Sequence, residues 1–265
     1  MANRQTSVPP KPFDNLAESY DETFSESPLG MTLRAAVWRR IQPLLRPGES
    51  VLELGCGTGV DALRLAEAGM IVVAVDSSEK MVKIARRRCG PFERTVRVEL
   101  GDLARLDSVA GTAGPFDLIL SDFGALNCVD DLAMVMGSIK DRLTSGGKVV
   151  AVIMGRVVPW EWMWMIATGR PAAAFRRLHP GGVEWRGHRI HYHTSCTVRR
   201  AATTAGLLVR RVAGLGALLP ITEAGPWISR HRRLLSTLDR LERRVESFPP
   251  LTWLADHLLV ELERP

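Results

Sequence analysis

Short unbroken apolar runs alternate along this chain with longer stretches whose apolar residues recur every three or four positions. Helical spacing from Leu29 to Leu45 ends at Arg46-Pro47-Gly48, and Ser50-Val51-Leu52-Glu53-Leu54 then reads as a buried strand. A glycine-rich turn leads into a helix over Asp61 to Ala68, stopped by Gly69. Ile71-Val72-Val73-Ala74-Val75 is a second apolar strand ending at Asp76, and Ser77 or Ser78 is placed to cap a helix running to Arg88. Further strands are predicted at Thr95 to Leu100, Phe116 to Leu120 and Lys148 to Ile153, with a helix over Asp131 to Leu143 before the last. Five- and six-residue apolar runs separated by helices specify a parallel, doubly wound α/β sheet.

The alternation breaks after the fifth strand. Arg156 to His193 is rich in Trp, Arg, His and Gly and reads as an inserted lid. The pattern then resumes with a helix over Ser195 to Ala205, a strand over Leu207 to Val212, a basic helix over Ile228 to Val245 and a seventh strand near Leu258 to Leu262. No linker separates these pieces, so residues 13–265 are expected to form one domain that includes the 156–193 insertion, preceded by a flexible arm over 1–12.

Composition narrows the class. Of the 265 residues, 46% are hydrophobic and 24% charged, which excludes general disorder, and no uncharged apolar run approaches the roughly 18 residues a spanning helix needs. Met1 to Phe13 contains no apolar core segment, so no secretory signal is expected. Cys56, Cys89, Cys128 and Cys196 are far apart, with no C-x-x-C pair; neither a disulfide framework nor a cysteine zinc site is expected, and a reducing cytoplasm is the expected location. The net charge of +6 comes largely from dispersed arginines and names no ligand by itself.

The chemistry concentrates in Val51-Leu52-Glu53-Leu54-Gly55-Cys56-Gly57-Thr58-Gly59, between a strand and a helix. Glycines at 55, 57 and 59 let the backbone turn tightly and let a ligand lie against it, at the sheet edge where nucleotides bind. The third glycine comes one residue earlier than in the dinucleotide fingerprint. Glu53 would repel a pyrophosphate but suits a ligand carrying an ammonium and a sulfonium, by direct or water-mediated hydrogen bonding. Asp76, 21 residues after Gly55 at the end of the second strand, suits the two hydroxyls of a ribose. Gly101-Asp102-Leu103 follows the third strand, where a carboxylate and an apolar side chain can clasp an adenine.

Together these residues resemble the class I S-adenosylmethionine-dependent methyltransferases of small-molecule type, strongly over residues 13–153 and more weakly over 195–263. The resemblance implies a Rossmann-like, mostly parallel sheet of seven strands and S-adenosyl-L-methionine as cofactor. It implies that Gly55, Cys56, Gly57 and Gly59 border the methionine and ribose, that Asp76 with Ser77 meets the ribose, that Met81 and Leu103 pack on the adenine, and that Gly101 and Asp102 meet its edge. Phe13-Asp14-x-x-Ala17-x-x-Tyr20-Asp21 is similar to the N-terminal helix whose tyrosine closes over the cofactor. Ser121-Asp122-Phe123-Gly124-Ala125-Leu126-Asn127 occupies the junction of cofactor and acceptor, with Ser121 contributing main chain, Phe123 its ring and Asn127 a substrate contact.

The implied acceptor is a small, apolar or aromatic metabolite, with its reacting atom open among oxygen, nitrogen and carbon. A hydroxyl or carbon acid benefits from a base, whereas a neutral amine does not require one. His179, His188, His191 and His193 in the insertion are the candidates, and no metal is expected there because neither cysteine nor grouped carboxylate accompanies them. Trp160 and Trp164 are candidate substrate-wall residues; core burial, or contact of the Trp-rich segment with lipid headgroups beside Arg170, Arg176 and Arg177, are the competing readings. A nucleic-acid methyltransferase and a non-catalytic scaffold are the alternatives. The first is disfavoured because Leu234, Leu238, Leu241 and Val245 make the basic helix an ordinary amphipathic one, and because Asp122-Phe123-Gly124 is unlike the D-P-P-Y motif of base-amino methyltransferases.

Overall fold

The apolar runs pair into one seven-stranded sheet, seen in a computed structural model that describes residues 12–185 and 187–265. The strands are β1 (Ser50–Leu54), β2 (Ile71–Asp76), β3 (Val96–Leu100), β4 (Phe116–Ser121), β5 (Leu143–Met154), β8 (Leu208–Leu215) and β9 (His257–Glu263), while β6 (Val183–Trp185) and β7 (His188–Ile190) form a separate hairpin. The spatial order is β3-β2-β1-β4-β5-β9-β8. Strands β1 to β5 run parallel, and β9 enters antiparallel between β5 and β8. The mostly parallel, doubly wound sheet expected from the sequence is therefore the observed one, with seven strands. The expected arm over 1–12 lies almost wholly outside the described residues.

Strand β1 shows why the sheet needs cover on both faces. Val51 packs in a cluster with α1 (Pro28–Ile41) and α2 (Val60–Glu67), whereas Leu52 and Leu54 pack with Leu126, Val135 and Ile139 on the other side. Alternate strand residues face opposite ways, and all three of these side chains are fully buried. Each such burial is worth about 1.5–3 kcal/mol. Helix α3 (Glu79–Cys89) is capped by the Ser78 hydroxyl and α4 (Leu132–Asp141) by Asp131.

Three predicted elements differ. The N-terminal helix is instead a 3-10 turn over Pro12–Asn15 and a π turn over Asp21–Ser25, held from outside by side chains described below. The Trp-rich insertion is partly regular: α5 (Pro159–Ala167) and the short α6 (Pro171–Ala174) precede the β6–β7 hairpin. The basic helix divides after α7 (Ser195–Thr204) and β8 into α8 (Gly225–Ser229) and α9 (Arg232–Val245), followed by α10 (Pro249–Trp253). Its acidic residues are not a solvated decoration. Glu242 is buried and accepts the backbone N–H groups of Gly216, Ala217 and Leu218 at 2.7, 2.9 and 2.7 Å, and Glu246 is paired with Arg40 of α1.

Candidate functional site

The carboxyl ends of β1, β2, β4 and β5 open onto a cavity of about 240 Å³, at the point where strand order reverses between β1 and β4. The turn after β1 forms its floor. At Gly55, φ is +79° and a Cβ would stand 2.2 Å from the Cβ of Ala125, so glycine is required for the close approach of the β4 loop. Gly55 and Gly57 line the cavity. Asp76 at the tip of β2 fixes the turn, accepting Gly57 N–H and Ser78 N–H, each at 2.8 Å, and lines the cavity beside Ser77, Met81, Asp102 and Leu103. Asp102 also caps the following turn through Ala104 N–H at 2.9 Å.

The N-terminal segment closes the roof by pinning itself to this turn. Asp14 accepts the Ser78 hydroxyl at 2.5 Å, and Asp21 accepts the Thr58 hydroxyl and Arg88, both at 2.6 Å. These bonds hold Phe13 and Tyr20 over the cavity without a regular helix. The remaining wall comes from the β4 loop and the insertion: Asp122, Phe123, Gly124, Ala125, Cys128, Val129, Met154, His188 and Ile190. Phe123 has φ +46°, an uncommon value for a bulky residue, and its ring is wedged against Phe24 and His257 at centroid distances of 5.0 and 5.9 Å under the Arg34 guanidinium.

Several expected site residues do not line the cavity itself. Glu53 and Cys56 border a separate void of about 20 Å³ behind the turn, shared with Tyr20, Gly55, Gly57, Asp122 and Phe123. Gly59 and Gly101 are packing positions, where a Cβ would meet Ala85 at 2.9 Å and Val109 at 2.3 Å. Ser121 is fully buried and its hydroxyl donates to Leu54 C=O, because adjacent strand residues face opposite ways and Asp122 takes the cavity side. Asn127 is also fully buried; it donates to the carbonyls of Met154 and His191 and accepts Met154 N–H, so it staples the insertion to β5 rather than facing the cavity.

Trp160 and Trp164 belong to a satellite core with Val158, Met165, Ile221 and Ala224; Trp160 donates to Leu218 C=O and Trp164 stacks near Trp227, so burial accounts for both. Three of the four candidate histidines do not line the cavity. His179 is exposed, His191 contacts Asp130 at 3.2 Å, and His193 sits in a bridge with Gly155, its pKa pushed down to about 4 by burial. His188 lines the cavity instead, facing Phe13 with ring centroids 6.4 Å apart. Among the described residues no cluster of His, Cys, Asp or Glu is arranged to hold a metal ion.

Asp122 is the functional candidate that the residue-by-residue expectation passed over. It is buried, neither carboxylate oxygen has a hydrogen-bond partner, and it borders both the cavity and the small void. Burial pushes its pKa up to about 7, against the opposing pull of Arg34 and His257. Glu53 is raised well above the usual carboxylate range, first by burial and then by the negative charge of Asp122, and its Oε2 has no partner. Arg34 is already bound to Asp61, so the pocket wall lacks a dedicated cation for these two acids. Such a site accepts a cationic or proton-donating ligand and rejects a phosphate.

Comparison with known proteins agrees with this geometry. Residues 45–158 match the family model of the methyltransferase domain. The demethylmenaquinone methyltransferase of Tropheryma whipplei is 33% identical over 147 residues, 53% of this chain and 56% of that protein. That of Beutenbergia cavernae is 34% identical over 151 residues, 56% of this chain and 58% of its own length. The chain thus spans somewhat more than half the length of these curated relatives. Among solved structures, an S-adenosylmethionine-dependent methyltransferase from Mesorhizobium loti superposes with a TM-score of 0.58 at 24% identity, covering 88% of this chain and 100% of that one. A geranyl diphosphate C-methyltransferase from Streptomyces coelicolor gives 0.57 at 16% identity, covering 88% and 76%. The chain therefore carries a methyltransferase domain over residues 45–158, built on the fold of the class I S-adenosylmethionine-dependent methyltransferases.

Proposed function

We propose that this protein binds S-adenosyl-L-methionine in the 240 Å³ cavity and transfers its methyl group to a small, apolar or aromatic molecule. The observation that carries the reading is the buried carboxylate pair Glu53 and Asp122 beside the glycine turn, with three oxygens that lack donors. A ligand bearing an ammonium and a sulfonium supplies the missing positive charge. The 20 Å³ void has room for about one water, so Glu53 reaches the ammonium through a water. Asp76 and Ser77 meet the ribose, and Met81, Leu103 and Asp102 border the adenine.

The acceptor enters on the side of β4 and β5, where Phe13, Val129, Met154, His188 and Ile190 make a mainly apolar wall. Residues 13–265 act as one unit in this reading, and the insertion contributes through its hairpin, with its tryptophans supporting from behind. The bound cofactor supplies an electrophilic methyl; the chain's residues exclude water and hold the acceptor in line, about 3–3.5 Å from it. The small-molecule activities named for relatives, such as demethylmenaquinone methylation, support an acceptor of this size. Four free cysteines fit a reducing cytoplasm, and among the described residues no helix is long and apolar enough to cross a membrane.

Calorimetric titration with S-adenosyl-L-methionine and S-adenosylhomocysteine tests the cofactor half directly. Incubation with a labelled methyl donor and cell extract, followed by mass spectrometry of the labelled product, tests the acceptor half. Binding without any labelled small molecule would leave a cofactor-binding scaffold in place of an enzyme.

A further inference from the structure

We propose that Asp122 is the proton acceptor of this site, and that the acceptor molecule is therefore one that loses a proton on methylation: an aromatic hydroxyl or an acidic carbon. The inference rests on the methyl-transfer reading above and adds a substrate class and a named group to it. Three geometric facts carry it. Asp122 is 8% exposed and both its oxygens lack a protein donor. It lines the cavity, whereas of the insertion's four candidate histidines only His188 does, and its Nδ1 already lies 3.1 Å from the Gly187 carbonyl oxygen. It stands directly after β4, whose neighbour β5 lies on the opposite side of β1 from the β2 and β3 tips that border the nucleoside end in the reading above.

The strained turn after it explains how the carboxylate is held. Phe123 at φ +46° and Gly124 at φ +95° reverse the chain immediately after Asp122, and the Phe123 ring is locked between Phe24, His257 and the Arg34 guanidinium. The groups facing Asp122 are Arg34 from α1, Glu53 from β1, Tyr20 from the N-terminal segment and His257 from β9, while Asp76 lies across the glycine turn. Arg34 is committed to Asp61, and His257 lies 3.3 Å from Asp256. Neither neutralises Asp122 completely, so its proton is exchangeable near neutral pH.

The step balances as follows. An oxygen lone pair of the acceptor forms the new O–C bond to the methyl carbon while the C–S bond breaks, its electron pair remaining on sulfur as a neutral thioether. The hydroxyl proton passes to the Asp122 carboxylate, which releases it to solvent after the product leaves. A carbon acid follows the same balance with a C–C bond formed. The positive sulfonium of the bound donor favours the ionised carboxylate beside it, so Asp122 becomes a base when the donor is present.

Calorimetry in two buffers of different ionisation heat, at pH 7, reads this without any acceptor. Wild-type protein should release protons on binding S-adenosyl-L-methionine, because the ligand's positive charge favours the ionised form of a carboxyl that burial has pushed up. Asp122→Asn should lose most of that release, leaving the share of Glu53, when both proteins are compared at saturating S-adenosyl-L-methionine. Asp122→Ser serves as a second variant, and near-ultraviolet circular dichroism reports folding of both. With 2-naphthol as probe acceptor, Asp122→Asn should lose at least about 100-fold in turnover, but less than about fivefold with 2-naphthylamine.

Equal proton release by wild type and variants overturns the proposal. So does an equal loss of turnover with 2-naphthol and 2-naphthylamine by folded variants, which would assign Asp122 to cofactor binding alone. If wild-type protein binds neither nucleoside, the methyl-transfer reading itself fails and takes this inference with it; if it binds both and only the proton release is missing, that reading stands and the role of Asp122 alone falls.

Discussion

Arg34 is bonded to Asp61, which also accepts the Trp38 indole N–H at 2.6 Å, although two further carboxylates border the same small void. The arginine thus stands at the site without quenching it. Its guanidinium lies 5.1 Å from the Phe123 ring centroid and its charge lowers the pKa values of Glu53 and Asp122, but its hydrogen bond goes to the base of α2. Replacing Arg34 with Met leaves Asp61, 3% exposed, with an uncompensated charge. Breaking a buried pair in this way costs about 3–5 kcal/mol, so chemical denaturation of Arg34→Met should show a lower midpoint with an unchanged slope.

Asp76 braces the glycine turn and, in the function proposed above, also meets the ribose. Asp76→Asn keeps the shape but removes the charge that receives Gly57 and Ser78 N–H groups. Hydrogen bonds to a charged group are worth about 1.5–3 kcal/mol, so S-adenosylhomocysteine should bind roughly 10- to 100-fold more weakly by calorimetry. Unchanged affinity would remove Asp76 from the nucleoside site.

His193 gives a pH dependence with a definite sign. Burial holds the folded ring neutral, with its pKa pushed down to about 4 from an ordinary 6.5. Below pH 6.5 the unfolded chain takes up a proton that the folded chain refuses, so this contribution is complete above about 6.5 and is lost as pH falls towards 4. The full shift corresponds to about 3 kcal/mol at most. Thermal midpoints of wild type should fall faster than those of His193→Gln over that window.

Arg177 ties the insertion to the sheet. It pairs with Glu161 of α5 and with Asp256 at 2.8 Å, and it donates to the carbonyls of Gly155 and Asp256 at 3.2 and 3.3 Å. Burial alone would raise Asp256, but His257 and Arg177 hold it well below the usual carboxylate range. Arg177→Met removes one partner from each of two buried acids, leaving Glu161 with Arg176 and Asp256 with His257, and should lower the thermal midpoint by roughly 5 °C. Limited proteolysis should then cut within 156–193 before the rest of the chain. Cleavage elsewhere first would show that the insertion does not depend on this arginine.

Much of the sheet is legible in the sequence because β1, β2, β4 and the second half of β5 carry short apolar runs and β3 alternates apolar with charged residues. The glycine turn and Asp76 are equally visible, since local spacing alone brings them together. What escapes is whatever long-range packing decides. Tyr20 sits over the cavity through bonds from Asp14 and Asp21 to residues some 37 to 67 positions away, which no helical periodicity reports. Trp160 and Trp164 fit either core burial or a ligand wall in sequence, and Ile221, Ala224 and Trp227, far along the chain, are what they pack against. Asp122 is hidden by a one-residue question of strand parity beside Ser121, and His257 by lying at the head of a strand that joins the sheet last.

That last strand sets an order of assembly. Because β9 lies between β5 and β8 and begins at His257, the Phe123 ring has its backstop only once the end of the described chain has been threaded into the middle of the sheet. A nascent chain can therefore fold its glycine turn early, but it is not competent for the chemistry proposed here until synthesis has passed Glu263.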